Sequence, residues 1–319
     1  MNRNNFKKPI IFSQLNKETD FEILDVSPRL SYEEGRKTRS IHWGQMKLLM
    51  SELNLFIYHL PEEIREIVYV GGAPGNHIFI LSHFFKDLHF HLYDSCDFDP
   101  RLSLCKNVKI YQRYFTEEDV EKWKNKNDIC FISDIRTLSY TAGDYAKSRD
   151  YQEANEETVK NDMDLQQNWV LEIKPRISLL KFRLPFAYDW VLKKSRIRKY
   201  LNGRVMKQVY NKKNSSETRL LVKDLNMKEW NILDYEEKMA FHNIEIRNKK
   251  RYKNPLDNSQ NFIYKERGLR NDYDSTYFTI IIMDLLKKLK MDSSYPNFKK
   301  MCDFVIDNTH PENTNIFFK

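Results

Sequence analysis

Apolar positions along this chain fall into short runs of two periods, one set by strands and one by helices. Residues 1–40 are mostly polar with isolated aromatics at Phe6, Phe12, Phe21 and Tyr32, the pattern of an arm laid over a body or of a tail. From Gly44 to Leu60 the positions Met46, Leu49, Met50, Leu53, Phe56 and Ile57 repeat as one face of a helix, closed by Pro61. The run Glu66-Ile-Val-Tyr-Val70 then reads as a short buried strand, because β-branched and aromatic residues fit a pleated surface. It leads through Gly71-Gly-Ala-Pro-Gly75 into a helix expected over about 75–86, with Pro74 compatible with its first turn. Further strands are expected at 88–94, 108–111, 128–134 and 177–182, and at about 203–210 and 216–223. Helices are expected after Thr116, over 156–174, briefly over 186–192, and over 234–248 and 274–290, with 135–155 as a long polar loop. Strand and helix alternate through the first 195 residues, which predicts an α/β fold with a doubly wound, mostly parallel sheet.

Composition narrows the setting without naming a chemistry. With 41% hydrophobic and 13% aromatic residues in 319, the chain can bury a sizeable core and is not of the disordered class. Lysine and arginine outnumber the acids 53 to 45, and this modest excess of +8 suits a polyanionic partner such as nucleic acid. Cys96, Cys105, Cys130 and Cys302 form no close pair, so neither a zinc site nor a disulfide framework is indicated, and a reducing, cytoplasmic setting is expected. The first residues are polar and no apolar run reaches membrane-spanning length, so no membrane partner is expected.

In such sheets ligands sit at the carboxyl ends of the strands, where the strand order reverses. The turn at 71–75, Asp94, Asp134 and Lys181 all fall near such ends. Asp94 stands 19 residues after Gly75, close to the spacing at which an acid accepts ribose hydroxyls, although an acid there also suits a plain turn. The turn lacks the second glycine of GxGxxG, which disfavours a pyrophosphate-bearing nicotinamide cofactor. A ligand with ribose and a carboxylate but no phosphate fits better, and S-adenosylmethionine is one. Lys181 sits inside an apolar strand, where a charged head needs a partner unless it faces solvent. A second cation nearby would favour its neutral, basic form, and Lys47 is a candidate, with Asp134 and Glu217 as balancing carboxylates.

Six ordered blocks carry a resemblance: Gly44-Gln-Met-Lys-Leu-Leu-Met-Ser-Glu-Leu53, Tyr69-Val-Gly-Gly-Ala-Pro-Gly-Asn-His-Ile78, Ile132-Ser-Asp-Ile-Arg136, Leu180-Lys-Phe-Arg-Leu-Pro-Phe186, Ser216-Glu-Thr-Arg-Leu-Leu221 and Tyr235-Glu-Glu-Lys-Met239. Over about residues 40–250 the chain resembles the poxvirus cap-specific mRNA (nucleoside-2′-O-)-methyltransferases, which double as regulatory subunits of the viral poly(A) polymerase. More distantly it is similar to ribose 2′-O-methyltransferases with a Lys-Asp-Lys-Glu tetrad. The resemblance implies a single methyltransferase domain of the Rossmann-like, S-adenosylmethionine-dependent type over 1–319, with an N-terminal arm over 1–40 and a helical extension over 250–319.

By the same resemblance the tetrad falls on Lys47, Asp134, Lys181 and Glu217, with Lys181 as the base toward a ribose 2′-hydroxyl. Gln45, Tyr69, Gly71, Gly75, Asp94, Phe115, Asp134 and Arg136 match cofactor-binding positions, with Phe115 packing on adenine or serving as an ordinary core aromatic. Phe186, with Phe21 as second ring, would stack the methylated guanine of the cap. Glu236 would accept its N–H bonds, with Arg183, Ser215 and Ser216 as further cap or RNA contacts. Lys193, Lys194, Arg196, Arg198, Lys199, Lys212 and Lys213 would track the RNA backbone or form a solvated surface. Departures from the family pattern fall at Cys96, where the family has arginine, at Tyr188, where it has an acid, and at Asn214, where it has tyrosine. By the same resemblance, the family's basic C-terminal tail is expected to be missing after Asn315-Ile-Phe-Phe-Lys319. The expected function is therefore 2′-O-methylation of the first transcribed nucleotide of m7G-capped mRNA in the host cytoplasm or virion, with a poly(A) polymerase catalytic subunit as a further partner. The rival readings are a non-catalytic RNA-binding processivity subunit for a poly(A) polymerase and a ribosomal-RNA 2′-O-methyltransferase.

Overall fold

The central strand is where sequence and fold meet most directly. In the computed structural model, β2 (Glu66–Val70) lies between two parallel neighbours, and Ile67, Val68, Tyr69 and Val70 are all buried. A strand covered on both faces has no polar face to alternate with, so it reads as a continuous apolar run. The structure describes residues 22–23, 25–31, 42–137, 149–212, 214–249, 252, 267, 269–292 and 294–309. The chain forms two compact units, one from residues 1–59, 207–215 and 239–319, the other from 60–206 and 216–238.

The first unit holds the short strand β1 (Glu22–Ile23) and the helix α1 (Gly44–Asn54), which runs on through a wider π-helical turn at Leu55–His59. Met46, Leu49, Met50 and Leu53 are fully buried, as the spacing predicts, but so are Ser51, Glu52 and Asn54. A helix covered all round belongs inside a bundle. Late in the chain, α7 (Tyr273–Lys288) and α8 (Tyr295–Thr309) supply its company: the Asn54 amide donates to the Tyr277 hydroxyl at 2.8 Å, and the Trp43 indole N–H to the Thr309 carbonyl at 2.9 Å. Asp272 starts α7 by accepting the Ser275 N–H at 2.8 Å. Arg247 pairs with Asp274 at 2.6 Å and also donates to the Asn211 carbonyl, an ion pair shut away from water.

The second unit is the doubly wound body. It is built from β2, α2 (Asn76–Phe84), β3 (His89–Tyr93), β4 (Val108–Tyr111), α3 (Glu117–Trp123), β5 (Ile129–Ser133), α4 (Arg149–Ile173), β6 (Ile177–Phe182), α5 (Asp189–Lys194), β7 (Ile197–Leu201), β8 (Arg204–Met206), β9 (Thr218–Val222) and β10 (Met227–Asn231). A helix α6 (Ile232–Phe241) follows. Seven of these strands make one sheet in the order β8-β9-β6-β5-β2-β3-β4, with β9 antiparallel between β6 and β8 and the remaining pairs parallel. The order reverses beside β2, which puts the switch point between β2 and β5. This is a doubly wound, mostly parallel, Rossmann-like sheet.

Several boundaries differ from the sequence expectation. Helix α4 begins by Arg149, inside the stretch expected as a polar loop, because its first turns are hydrophilic and leave no apolar periodicity to read. Helix α2 begins at Asn76 behind a left-handed Gly75, so Pro74 lies in the turn before the helix and not in its first turn; the Ala73–Pro74 peptide is cis. The strands expected at 203–210 and 216–223 shorten to β8 and β9. Helix α5 starts at Asp189, three residues after the expected start. The antiparallel pair β7 and β10 was not expected at all. Helix α3 starts as expected after Thr116, whose backbone N–H and hydroxyl both donate to Asp119.

Candidate active site

The turn after β2 is glycine-built for close packing within the protein. Gly71 has φ +81°, and a Cβ there would sit 2.9 Å from the backbone nitrogen of Ile135. Only glycine lets the chain leaving β2 pass so close to the chain leaving β5. Gly75, at φ +82°, would drive a Cβ to 2.7 Å from Leu102. Two of the turn's N–H groups are already used: Gly71 donates to the Tyr93 carbonyl at 2.8 Å, and Ala73 donates to Asp94 Oδ2 at 3.0 Å. The other Asp94 oxygen accepts the Cys96 N–H at 3.0 Å. Asp94 therefore ties the end of β3 to the glycine turn after β2. A carboxylate has about four acceptor positions, so capacity remains for hydroxyl donors, as a ribose would present.

Across the switch point three of the four tetrad positions come together. Lys181 on β6 lies directly opposite Arg219 on β9, two cations side by side on one sheet face. Like charges in that register repel. Asp134, just past the end of β5, relieves this: its Oδ1 lies 3.2 Å from Lys181 Nζ and 2.6 Å from Arg219 Nη2. Arg219 is wholly buried and also donates from Nη1 to the Ser133 carbonyl at 3.0 Å. Glu217, immediately before β9, brings its Oε2 to 3.8 Å from Lys181 Nζ and 3.9 Å from Arg136 Nη2. Each carboxylate flanking Lys181 is thus shared with an arginine. Burial pulls the Arg136 guanidinium below the usual arginine value, against the opposing pull of Glu217 and Asp162. Such a cluster offers an amine with two carboxylates to orient it in a partly desolvated place, the parts required to accept a proton from a hydroxyl.

A second group lies along the loop from β6 to α5. Both Nη atoms of Arg183 donate to Glu156 Oε1 at 3.0 Å, and its guanidinium carbon stands 4.5 Å from the centroid of the Phe186 ring. The Phe186 N–H donates to the second Glu156 oxygen at 3.3 Å, and the Ala187 N–H donates to Glu236. Burial raises the Glu236 carboxyl above its ordinary value, the Ala187 N–H opposing it. Tyr188 meets Phe186 edge-on at 5.8 Å and stacks on Trp190 at 5.5 Å. This gathers a partly exposed ring, a cation on one of its faces and a half-buried carboxylate.

Other expected positions sit as follows. Tyr69 is fully buried, its hydroxyl sharing a hydrogen bond with His77 at 3.2 Å. Phe115 is buried edge-on among Tyr93, Trp169 and Phe131, in the manner of a core aromatic. Ser216 is buried and its carbonyl accepts from the Tyr235 hydroxyl at 2.5 Å. Gln45, Lys47 and Ser215 belong to the first unit, with Lys47 buried on α1 and the Ser215 carbonyl accepting from Asn243 at 2.9 Å. Phe21 and Lys213 lie outside the described residues. Sequence reasoning missed Arg219, Glu156, Asp162 and Gln166. Arg219 gave the same signal as Lys181, a cation inside an apolar strand. Glu156 and Gln166 fall on the helical stripe of Val159, Met163, Val170 and Ile173, where a polar residue is the anomaly to notice.

Comparison with known proteins bears on the family to which the chain belongs. A family model described as Poly A polymerase regulatory subunit matches residues 6–309. A Fowlpox virus (strain NVSL) protein named cap-specific mRNA (nucleoside-2′-O-)-methyltransferase is 32% identical over 241 residues, 68% of this chain and 71% of that protein. A Myxoma virus (strain Lausanne) protein of the same name is 27% identical over 293 residues, 85% of this chain and 80% of that protein. Among solved structures, a human methyltransferase 10 domain containing protein aligns over 59% of this chain and 82% of its own at 8% identity, with a TM-score of 0.32. Since the family match runs through nearly the whole sequence and includes every element of the site, the chain belongs to the family of poly(A) polymerase regulatory subunits.

Proposed function

We propose that this chain is a cap-specific mRNA 2′-O-methyltransferase that acts on the first transcribed nucleotide of m7G-capped RNA. The observation that carries the reading is Lys181 held between Asp134 and Glu217, each carboxylate shared with an arginine. When bound, S-adenosylmethionine supplies an electrophilic methyl group on a sulfonium centre. Asp94, with acceptor capacity beyond Ala73 and Cys96, would hold the ribose hydroxyls of that donor beside the 71–75 turn. Gln45, Tyr69, Gly71, Gly75 and Phe115 complete its expected surroundings, carried from the family resemblance. Lys181 Nζ takes the proton of the substrate's 2′-hydroxyl while Asp134 and Glu217 fix its direction. Arg219 and Arg136 draw on the same carboxylates, so neither acid is held by Lys181 alone. Lys47 is the fourth tetrad member by the same resemblance.

Phe186 and Glu236 would receive the methylated guanine, the ring by stacking and cation–π attraction, the carboxylate by accepting N–H bonds. The Arg183 guanidinium covers one Phe186 face, so the base would stack on the other. Phe21, Ser215 and Ser216 are the remaining cap and RNA contacts in this reading. The family's description also supports a poly(A) polymerase catalytic subunit as a partner, which co-purification from cells expressing both would test. No helix among the described residues is long and apolar enough to cross a membrane. The site of action is proposed as the host cytoplasm or virion.

The function is tested by incubating the purified chain with labelled donor and a short m7G-capped RNA, then digesting the RNA to nucleosides. Label on the 2′-oxygen of the first transcribed nucleotide supports the reading. Label on a base, or at internal riboses alone, removes it.

A further inference from the structure

Helix α4 carries three buried polar side chains that have no direct part in the proposed chemistry. Glu156, Asp162 and Gln166 are 5%, 6% and 1% exposed, at helix positions where hydrocarbon is the rule. Burying such groups is unfavourable unless each finds a partner. Most of their partners lie on segments that carry a site residue, the Tyr200 hydroxyl on β7 being the exception. Glu156 holds Arg183 and the Phe186 N–H, as described above. The Gln166 amide donates to the Lys181 carbonyl at 2.6 Å and to the Tyr200 hydroxyl at 2.9 Å.

Asp162 is the most directly connected to the chemistry. Its Oδ2 accepts the Thr137 N–H and its Oδ1 the Thr137 hydroxyl, both at 2.8 Å. The same Oδ2 lies 3.8 Å from Arg136 Nη1, while Arg136 Nη2 lies 3.9 Å from Glu217 Oε2. Arg136 is therefore suspended between two carboxylates. One of them, Glu217, faces Lys181 at 3.8 Å. Loss of the Asp162 charge would let Arg136 move onto Glu217 and turn that carboxylate away from Lys181.

We propose that Asp162 is a positioning residue for methyl transfer, fixing the Arg136–Thr137 segment and, through Arg136, the Glu217 carboxylate beside Lys181. The proposal rests on the methyltransferase reading above. A misplacement on the order of an ångström at a reacting group lowers turnover far more than it weakens substrate binding.

The experiment uses the full chain with Asp162→Asn, Asp162→Ala, Glu217→Gln and the Asn–Gln double variant. Asparagine keeps an acceptor for the Thr137 N–H, and its amide can donate to the Thr137 hydroxyl oxygen; only the charge facing Arg136 is lost. Asp162→Asn is expected to melt like the wild type, keep KM for capped RNA within about twofold, and lose about 10- to 100-fold in kcat at saturating donor. In the Glu217→Gln background the same change is expected to add little, because Asp162 acts through Glu217. Without any ligand, Asp162→Ala is expected to speed hydrogen exchange across residues 134–137 by at least about tenfold. An unchanged kcat in Asp162→Asn, an additive double variant, or unaltered exchange in Asp162→Ala would each overturn the proposal. An inactive wild type would instead remove the methyltransferase reading, so the two failures are distinct. If Asp162→Ala does not fold, the asparagine variant and the cycle still decide.

Discussion

Replacing Lys181 with methionine should separate chemistry from folding more cleanly than most substitutions of a buried charge. Lysine and methionine are similar in reach, so little volume is lost, and only the ammonium disappears. At an effective dielectric near 20, the pairs at 3.2 Å and 3.8 Å represent about 5 and about 4 kcal/mol of gross attraction. Desolvating the ammonium opposes that gain by several kcal/mol. Neither carboxylate is abandoned in the variant, because Asp134 keeps Arg219 at 2.6 Å and Glu217 keeps Arg136 at 3.9 Å. The net change in stability should therefore stay within about 2 kcal/mol, a shift of no more than about 5 °C in melting temperature for a chain of this size. Loss of a general base costs about 10²- to 10⁴-fold in rate, or about 3–5 kcal/mol on the barrier. Initial rates on a short capped RNA, a melting curve and donor binding by calorimetry measure the three quantities side by side. Retention of more than about a tenth of kcat would remove Lys181 as the base. A drop well beyond about 5 °C would show instead that the arginines do not compensate as described.

Three further outcomes follow from other parts of the structure. Gly71→Ala forces a Cβ to 2.9 Å from the Ile135 backbone at a left-handed φ of +81°, so it should cost more than about 2 kcal/mol and weaken donor binding, read by melting and calorimetry together. Arg247→Met strands the buried Asp274 in the first unit and should destabilise by about 3–5 kcal/mol, read by denaturant titration; no measurable loss would show that the pair contributes little. Glu236 gives a pH dependence: burial raises its carboxyl above the ordinary value, and in the proposed cap site the ionised form would accept the guanine N–H bonds. Binding of m7GTP should therefore weaken as pH falls through a value above the ordinary glutamate range. The sign for folding is opposite, since a raised acid favours the folded state only while it is protonated. Fluorescence titration of wild type and Glu236→Gln checks this, and an identical pH profile in the two would contradict it.

What the sequence disclosed follows from how each element meets water. Strands β2, β5 and β6 are buried on both faces, so their apolar runs were plain. Strands β7 and β10 mix charged and apolar residues, Ile197-Arg-Lys-Tyr-Leu201 and Met227-Lys-Glu-Trp-Asn231, because they form a separate antiparallel pair with exposed positions. Neither stood out. The first turns of α4 were hidden by their hydrophilic composition. At the site, Lys181 was conspicuous as a cation in an apolar strand and Asp134 as an acid at a strand end, and the resemblance joined them with Glu217 in one tetrad. Arg219 was equally visible in Thr218-Arg-Leu-Leu-Val222, but strand pairing was needed to set it opposite Lys181. The glycine turn was legible as a site marker, yet its tight packing against Ile135 and Leu102 depends on contacts that no local pattern encodes. Asp162 and Gln166 act through long-range hydrogen bonds to Thr137 and Lys181, which only the folded chain brings within reach.

A single site that joins cap recognition to a ribose base makes one rate comparison decisive. Three short RNAs of identical sequence, carrying an m7G cap, an unmethylated G cap or a bare 5′-triphosphate, are offered to the purified chain with saturating donor. Efficient methyl transfer to the m7G-capped RNA alone is the expected result. Equal initial rates on all three would contradict the account.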